Sequence, residues 1–312
     1  MALGFGANAK FLAAYEAAYG TPPAADYRQV QLARYGVSAR QNLLDNDLLG
    51  TGRDPSPPVL GAITVDGEIV VPMDARSTGF WLKGLLGPPT TAGTGPYTHT
   101  FISGAQALPS LSIQAINPDV PLYRTHSGLR IDSATIRLER ENLPSATLAC
   151  VAQGETVDGA VRDADPDLYT PLRFGPFQGE VKKDGAQLGR VVSAELAYRN
   201  GLDRIETIRS DGLIDGVEPT LAACTGSIVV RFDGTALFDA ARNAAPLELT
   251  FGYVRDANTK LLFTVHEAYL SRPGLAIEGP AGIQATFEFR GARNDVAGRM
   301  LTAILMNDVV SY

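Results

Sequence analysis

Cysteine, histidine and tryptophan are nearly missing from this sequence: two, three and one among 312 residues. Cys150 and Cys224 are far apart and fit neither a CxxC motif nor a metal-ligand spacing. Each sits among apolar or small neighbours (Leu148-Ala149-Cys150-Val151 and Ala222-Ala223-Cys224-Thr225), which reads as a small buried hydrophobe. His99, His126 and His266 are too dispersed for a local metal motif. A basic excess is missing as well. The 34 acidic and 27 basic residues give a formal charge of −7, the wrong sign for capturing nucleic acid by counterion release. No run of about 18 apolar residues occurs, so no membrane-spanning helix is expected. The opening Met1-Ala2-Leu3-Gly4-Phe5-Gly6 has neither a basic n-region nor a long apolar stretch, so synthesis in a cytoplasm is expected.

Motifs that carry chemistry are also lacking. Asp163-Ala164-Asp165-Pro166-Asp167 begins like a calcium loop but has no glycine at the sixth position and no acid at the twelfth, and reads as a solvated turn. Neither Gly4-Phe5-Gly6 nor Gly50-Thr51-Gly52 follows a strand and opens a helix as a nucleotide loop must. Ser127 beside His126 has no GxSxG elbow, and His266-Glu267 reads as a polar pair on a strand. Trp81 is expected in a core. No catalytic, cofactor-binding or metal-ligating residue is therefore expected, and the chain is not expected to be an enzyme.

What is present suits packed β structure. Apolar residues make up 45 % and charged residues 20 %, enough for two cores in domains of roughly 150 residues. Asn8 to Tyr19 spaces its apolar residues as an amphipathic helix or strand-like arm, stopped by Gly20-Thr21-Pro22-Pro23. Strands are expected at 63–73, 99–101, 111–116, 129–138 and 146–153, with a short helix at 77–86. The Gly/Pro/Asp-rich stretch 45–61 is expected to be irregular, and 155–190 to be a connector with one hairpin.

The pattern then recurs. Gly67-Glu68-Ile69-Val70-Val71-Pro72-Met73-Asp74 aligns with Gly226-Ser227-Ile228-Val229-Val230-Arg231-Phe232-Asp233, an offset of 159 between positions 67 and 226. Shared positions are Gly67/Gly226, Ile69/Ile228, Val70/Val229, Val71/Val230 and Asp74/Asp233. Leu32-Ala33 matches Leu196-Ala197, and Asp47 and Leu49 match Asp211 and Leu213, at an offset of 164, which implies a loop about five residues shorter in the second copy. A second short helix is expected at 235–243, and Ala146-Thr147-Leu148 echoes Ala285-Thr286-Phe287. Tandem duplication of one β domain explains this, with domains at 1–155 and 191–312 and a connector at 156–190.

At this resolution of detail the chain resembles the two-domain tail tube proteins of tailed bacteriophages. The resemblance rests on AYEAAYGTPP (14–23), DLLGTGRDPSPPVLGAITVDGEIVV (47–71), GFWLKGLLG (79–87), YTHTF (97–101) with LPSLSI (108–113), and SGLRIDSATI (127–136). It implies a mainly β fold of tandem tail-tube sandwiches or half-barrels, each with a short helix, closing into a β-barrel ring on assembly. Six domains make a ring in the family, so two per chain imply a homotrimer with pseudo-sixfold symmetry. The implied role is that of a virion structural protein whose stacked rings conduct DNA during ejection, without specific binding. Expected partners are further copies of itself, the tape measure protein, the tail terminator and the baseplate, with no membrane. The expected location is the virion tail, after synthesis in the host cytoplasm. Another tail component, such as a baseplate hub or terminator ring, and a carbohydrate-binding β-sandwich are the alternative readings.

Within that frame the 45–60 loop, with Asp47, Leu49, Arg53, Asp54 and Pro55, is expected to touch the adjacent ring, being long, Pro-stiffened and without a core. Carboxylates are expected on the inner wall. Arg130 and Arg137 are expected to pair with carboxylates such as Asp132 or Glu139 of a neighbouring subunit.

Overall fold

A computed structural model describes residues 3–46, 48–50, 52–231, 234–274 and 282–312. Period-two alternation of apolar side chains makes the chain mainly β. The first half runs β1 (Lys10–Tyr15), β2 (Arg28–Val30), β3 (Arg34–Tyr35), β4 (Ser38–Asn46), β5 (Ser56–Pro72), α1 (Thr78–Leu86), β6 (Thr90–Ala92), β7 (Tyr97–Ile102), β8 (Leu111–Asn117), β9 (Leu122–Leu138), β10 (Ser145–Ala152) and β11 (Gly154–Asp158). After a short β12 (Asp167–Leu168) come β13 (Gly179–Lys183), β14 (Ala186–Gln187), β15 (Val191–Arg199), β16 (Leu202–Ile205), β17 (Gly216–Pro219) and β18 (Ala223–Arg231). The chain ends with α2 (Ala236–Arg242), β19 (Leu247–Asp256), β20 (Thr259–Leu270), β21 (Gln284–Gly291) and β22 (Leu301–Asn307). No helix among the described residues is long and apolar enough to cross a membrane.

The two motif strands have matching neighbours in matching register. Ile69, Val70 and Val71 lie opposite Leu148, Thr147 and Ala146, while Ile228, Val229 and Val230 lie opposite Phe287, Thr286 and Ala285. On the other edge, Tyr35 faces Ile69 and Ala194 faces Ile228. Irregularities recur too. The β8–β9 ladder slips between Leu111 and Ile113, and the β19–β20 ladder between Leu247 and Leu249. A bulge costs pairing and bends the strand, so its recurrence at one place in both halves is a specific likeness.

This register corrects the flanking alignment. Leu196 faces Gly226, and the ladder through Tyr35–Ile69 and Ser38–Asp66 puts Val37 opposite Gly67. Leu196-Ala197 therefore correspond to Val37-Ser38, not to Leu32-Ala33. One offset of 159 holds from position 37 to position 67, so the second hairpin has no five-residue deletion.

Stretch 45–61 is also more regular than expected. β4 and β5 form a hairpin whose outer part pairs Leu43 with Leu60 and Leu44 with Val59. Pro57 and Pro58 are tolerated because, among the described residues, this end of β5 pairs on one side only, with β4. The N-terminal arm is strand β1, held between β2 and β8, where Ala13 opposite Ile113 is fully buried. Of the expected connector, β11 pairs with β9 and β13 with β19, and the hairpin is β13–β14.

One apolar core runs through both halves and includes Ile69, Trp81, Leu85, Ile131, Ile228, Phe251 and Phe287. Trp81 meets Phe80 edge-on at 5.2 Å. The segments that break the repeat meet each other: β7, inserted in the first half, pairs with β22 from the chain end, and β22 in turn pairs with β20.

Candidate assembly surface

The candidate surface begins where the halves join. β9 pairs antiparallel with β15, setting Leu138 opposite Ala194, Ile136 opposite Leu196 and Ala134 opposite Tyr198. The seam joins β4–β5–β10–β9 to β15–β18–β21–β20, a run of eight neighbouring strands within a larger sheet. Two ion pairs cross it, Arg137 to Glu195 at 2.6 Å and Arg199 to Asp132 at 3.2 Å. Arg130 donates to the Val217 carbonyl. Arg130 and Arg137 thus find their partners in the other half of the same chain, and Asp132 takes Arg199. The assignment to Asp132 or Glu139 of another subunit is corrected accordingly.

The motif residues explain the closeness of this packing. A β-carbon on Gly67 would lie 2.2 Å from the carbonyl oxygen of Gly36, and one on Gly226 would lie 2.1 Å from that of Glu195. Positions 36 and 195 are equivalent under the repeat, so both glycines admit the same backbone approach. Ile69, Val71, Ile228 and Val230 are buried, while Val70 and Val229 are on the other face, half-buried. Asp74 is buried and accepts the amides of Arg76 and Ser77 at 2.8 Å each, ordering the turn that leads into α1. Its counterpart Asp233 lies outside the described residues, as does Asp47.

Opposite the core, this run of eight strands presents small and polar side chains, among them Thr135, Thr147, Ser193 and Ser227. Charges of both signs share this face. The arginines are largely engaged: Arg34 with Glu68 at 3.8 Å, Arg40 with Asp66, and Arg137 with Glu195. Asp66 also takes Arg204 at 2.7 Å, and that hydrogen bond holds its carboxyl below the usual range.

Two edges of the sheet correspond to the strands that meet at the seam. One is β3–β4, paired with β5 on one side only among the described residues. The other is the end of β20, where Tyr269 and Leu270 pair with β21; the counterparts of β9 residues 133–138 are 272–277, of which 275–277 lie outside the described residues. Beyond the sheet edge the β4–β5 hairpin carries Leu43, Leu44, Val59 and Leu60, each more than half exposed, and Leu49 at its fully exposed tip. Arg53, Asp54 and Pro55 follow on the same tip, also exposed. Leu49 was among the expected loop residues, whereas sequence reasoning missed Leu43, Leu44 and Leu60 because alternation cannot tell a core face from an exposed apolar one.

Each histidine is tied into a local network. His99 contacts the Val309 carbonyl at 2.9 Å and Thr91 at 2.9 Å, and His266 contacts Thr302 at 2.7 Å. His126 bridges Tyr35 and Glu155 at 2.7 Å each. Cys150 and Cys224 are buried and form no disulfide, and burial pushes both thiols up, that of Cys224 to about 12. Among the described residues no cluster of three or more His, Cys, Asp or Glu could hold a metal ion.

Comparison with curated proteins gives no significant match. Residues 6–291 match a protein family described as phage tail tube protein.

Proposed function

The chain belongs to the phage tail tube protein family, a structural subunit of the virion tail, and from that premise we propose that three copies close head to tail into a ring. The rings stack into a tube that conducts genomic DNA into the host. The seam between β9 and β15 carries this reading. Under the repeat, β20 stands for β9 and the β3–β4 edge stands for β15, and a second seam of the same kind would join one copy to the next. Such a contact between unlike surfaces repeats around an axis and closes when the rotation allows. Closure removes both open edges.

The functional units are then two tube domains, near 1–155 and 191–312, with 156–190 contributing strands to each. Three runs of eight strands give a barrel roughly 45–50 Å across at the backbone, from strand spacing and the usual tilt, wide enough for a double helix. The polar face becomes the wall. Three chains of formal charge −7 bring −21 to each ring, and pairing of the wall arginines keeps them from holding phosphates. The hairpin tip with Leu49, Arg53, Asp54 and Pro55 meets the stacked ring. Tape measure protein, tail terminator and baseplate are the further partners, after synthesis in the host cytoplasm. Negative-stain microscopy of concentrated protein tests the reading: rings or tubes sustain it, and a monodisperse monomer at all concentrations overturns it.

A further inference from the structure

The second half shows how a hairpin of this fold is seated on a neighbouring half. Asp66, Val151 and Arg130 form one row across β5, β10 and β9 on the face away from the core. The β16–β17 hairpin lies over that row: Arg204 donates to Asp66 at 2.7 Å, and Arg130 donates to the Val217 carbonyl. Val217 is buried, and the three row residues are half-buried. Next to the row, the Ile63 amide donates to the Gly212 carbonyl and Gln153 reaches that of Ile214.

The matching row in the second half is Thr225, Arg290 and Tyr269, in the same register across β18, β21 and β20. All three are exposed. Ala222 and Ala292, the counterparts of Ile63 and Gln153, line a groove of about 670 Å³ beside it. The hairpin that matches β16–β17 is the outer part of β4–β5, since Leu43 faces Leu60 as Leu202 faces Pro219. Leu43 and Leu60 share one face and are each 63 % exposed. A seat of known geometry and its matching hairpin are thus both uncovered within one chain, and charge completes the fit. Arg204 is replaced by Asp45 under the repeat, while the partner strands offer Arg290 beside Thr225 in place of Asp66. The ion pair survives with its signs exchanged.

We infer that the β4–β5 hairpin of one chain lies across the Thr225–Arg290–Tyr269 row of a second copy in the same ring, with Asp45 paired to Arg290. This rests on the head-to-tail ring proposed above. It adds that the hairpin is first a lateral clamp. Leu44 and Val59 lie on its opposite face, where the seated hairpin has the charged Asp203 and Glu218, so that second apolar face is the one left for a stacked ring.

The test is a charge swap read by native mass spectrometry at dilutions where wild-type rings are half dissociated. Arg290→Glu sets like charges against each other and lowers ring association about tenfold or more. Asp45→Lys combined with Arg290→Glu recovers it to near wild type. Both positions are exposed, and thermal melting of each variant checks that the fold is kept. Rings from Arg290→Glu at wild-type strength overturn the docking while leaving the ring intact, and loss without recovery in the double variant overturns the pairing. A wild-type chain that forms no closed oligomer overturns the ring and the docking together.

Discussion

At Gly226 the fold leaves no room for a β-carbon, which would meet the Glu195 carbonyl at 2.1 Å and the Phe289 ring at 2.6 Å. Gly226→Ala should push β15 off β18 and lower unfolding stability by roughly 1–3 kcal/mol, as overpacking does. Denaturant unfolding measures it, and an unchanged midpoint would contradict the close approach. His126 is a second sensitive residue. It is buried between Tyr35 and Glu155, and burial lowers its pKa despite the carboxylate. A histidine depressed in the folded state favours the neutral form. Its stabilisation is therefore complete above the ordinary value near 6.5 and is lost as pH falls through the depressed one. Stability should decline from about pH 6.5 downward, and His126→Gln should flatten that slope. A wild-type slope that survives the substitution would place the titration elsewhere.

Among the elements, β22 lies beyond the last family-matched residue, 291, yet sits between β20 and β7 and buries Leu301, Ala303 and Leu305. Truncation after Arg299 should abolish cooperative unfolding, because each large buried side chain is worth roughly 1.5–3 kcal/mol and two strands lose their partner. A cooperative thermal transition in the truncated chain would refute this. The hairpin tip is the opposite case. Deleting 51–57 should leave the fold and abolish polymerisation, since 52–55 are exposed and contribute nothing to the core; normal tubes would exclude the role. Both elements show what the sequence discloses. The motif strands were legible because Ile69, Val71, Ile228 and Val230 alternate into one core. The hairpin was not, because Gly50, Gly52, Pro57 and Pro58 read as breakers and the single-edge setting that tolerates them is tertiary. The Leu-Ala match at offset 164 misled for a related reason: two common residues say less than a ladder. Arg137–Glu195 and β7–β22 join residues far apart in the chain, and no local pattern announces them.

For the whole molecule, if the polar face lines the lumen as proposed, the neutrality of that wall depends on pairs such as Arg137–Glu195. Exposed pairs of this kind contribute about 0–1 kcal/mol to stability, so Glu195→Gln should fold and assemble while freeing one guanidinium per chain. Rings of that variant should retain DNA in co-sedimentation at low salt, with a salt dependence steeper by about one ion per phosphate contact. Wild-type rings should not retain it. Equal retention by both would remove the reason for the pairing. The seam between the two halves has a mechanical side as well. In a trimeric ring half of the lateral joints are backed by continuous polypeptide and half by surface contact alone, so the two kinds alternate around the circumference. Hoop tension from packed DNA would open only the second kind, and the ring would come apart into whole chains before any barrel half peeled away from its twin.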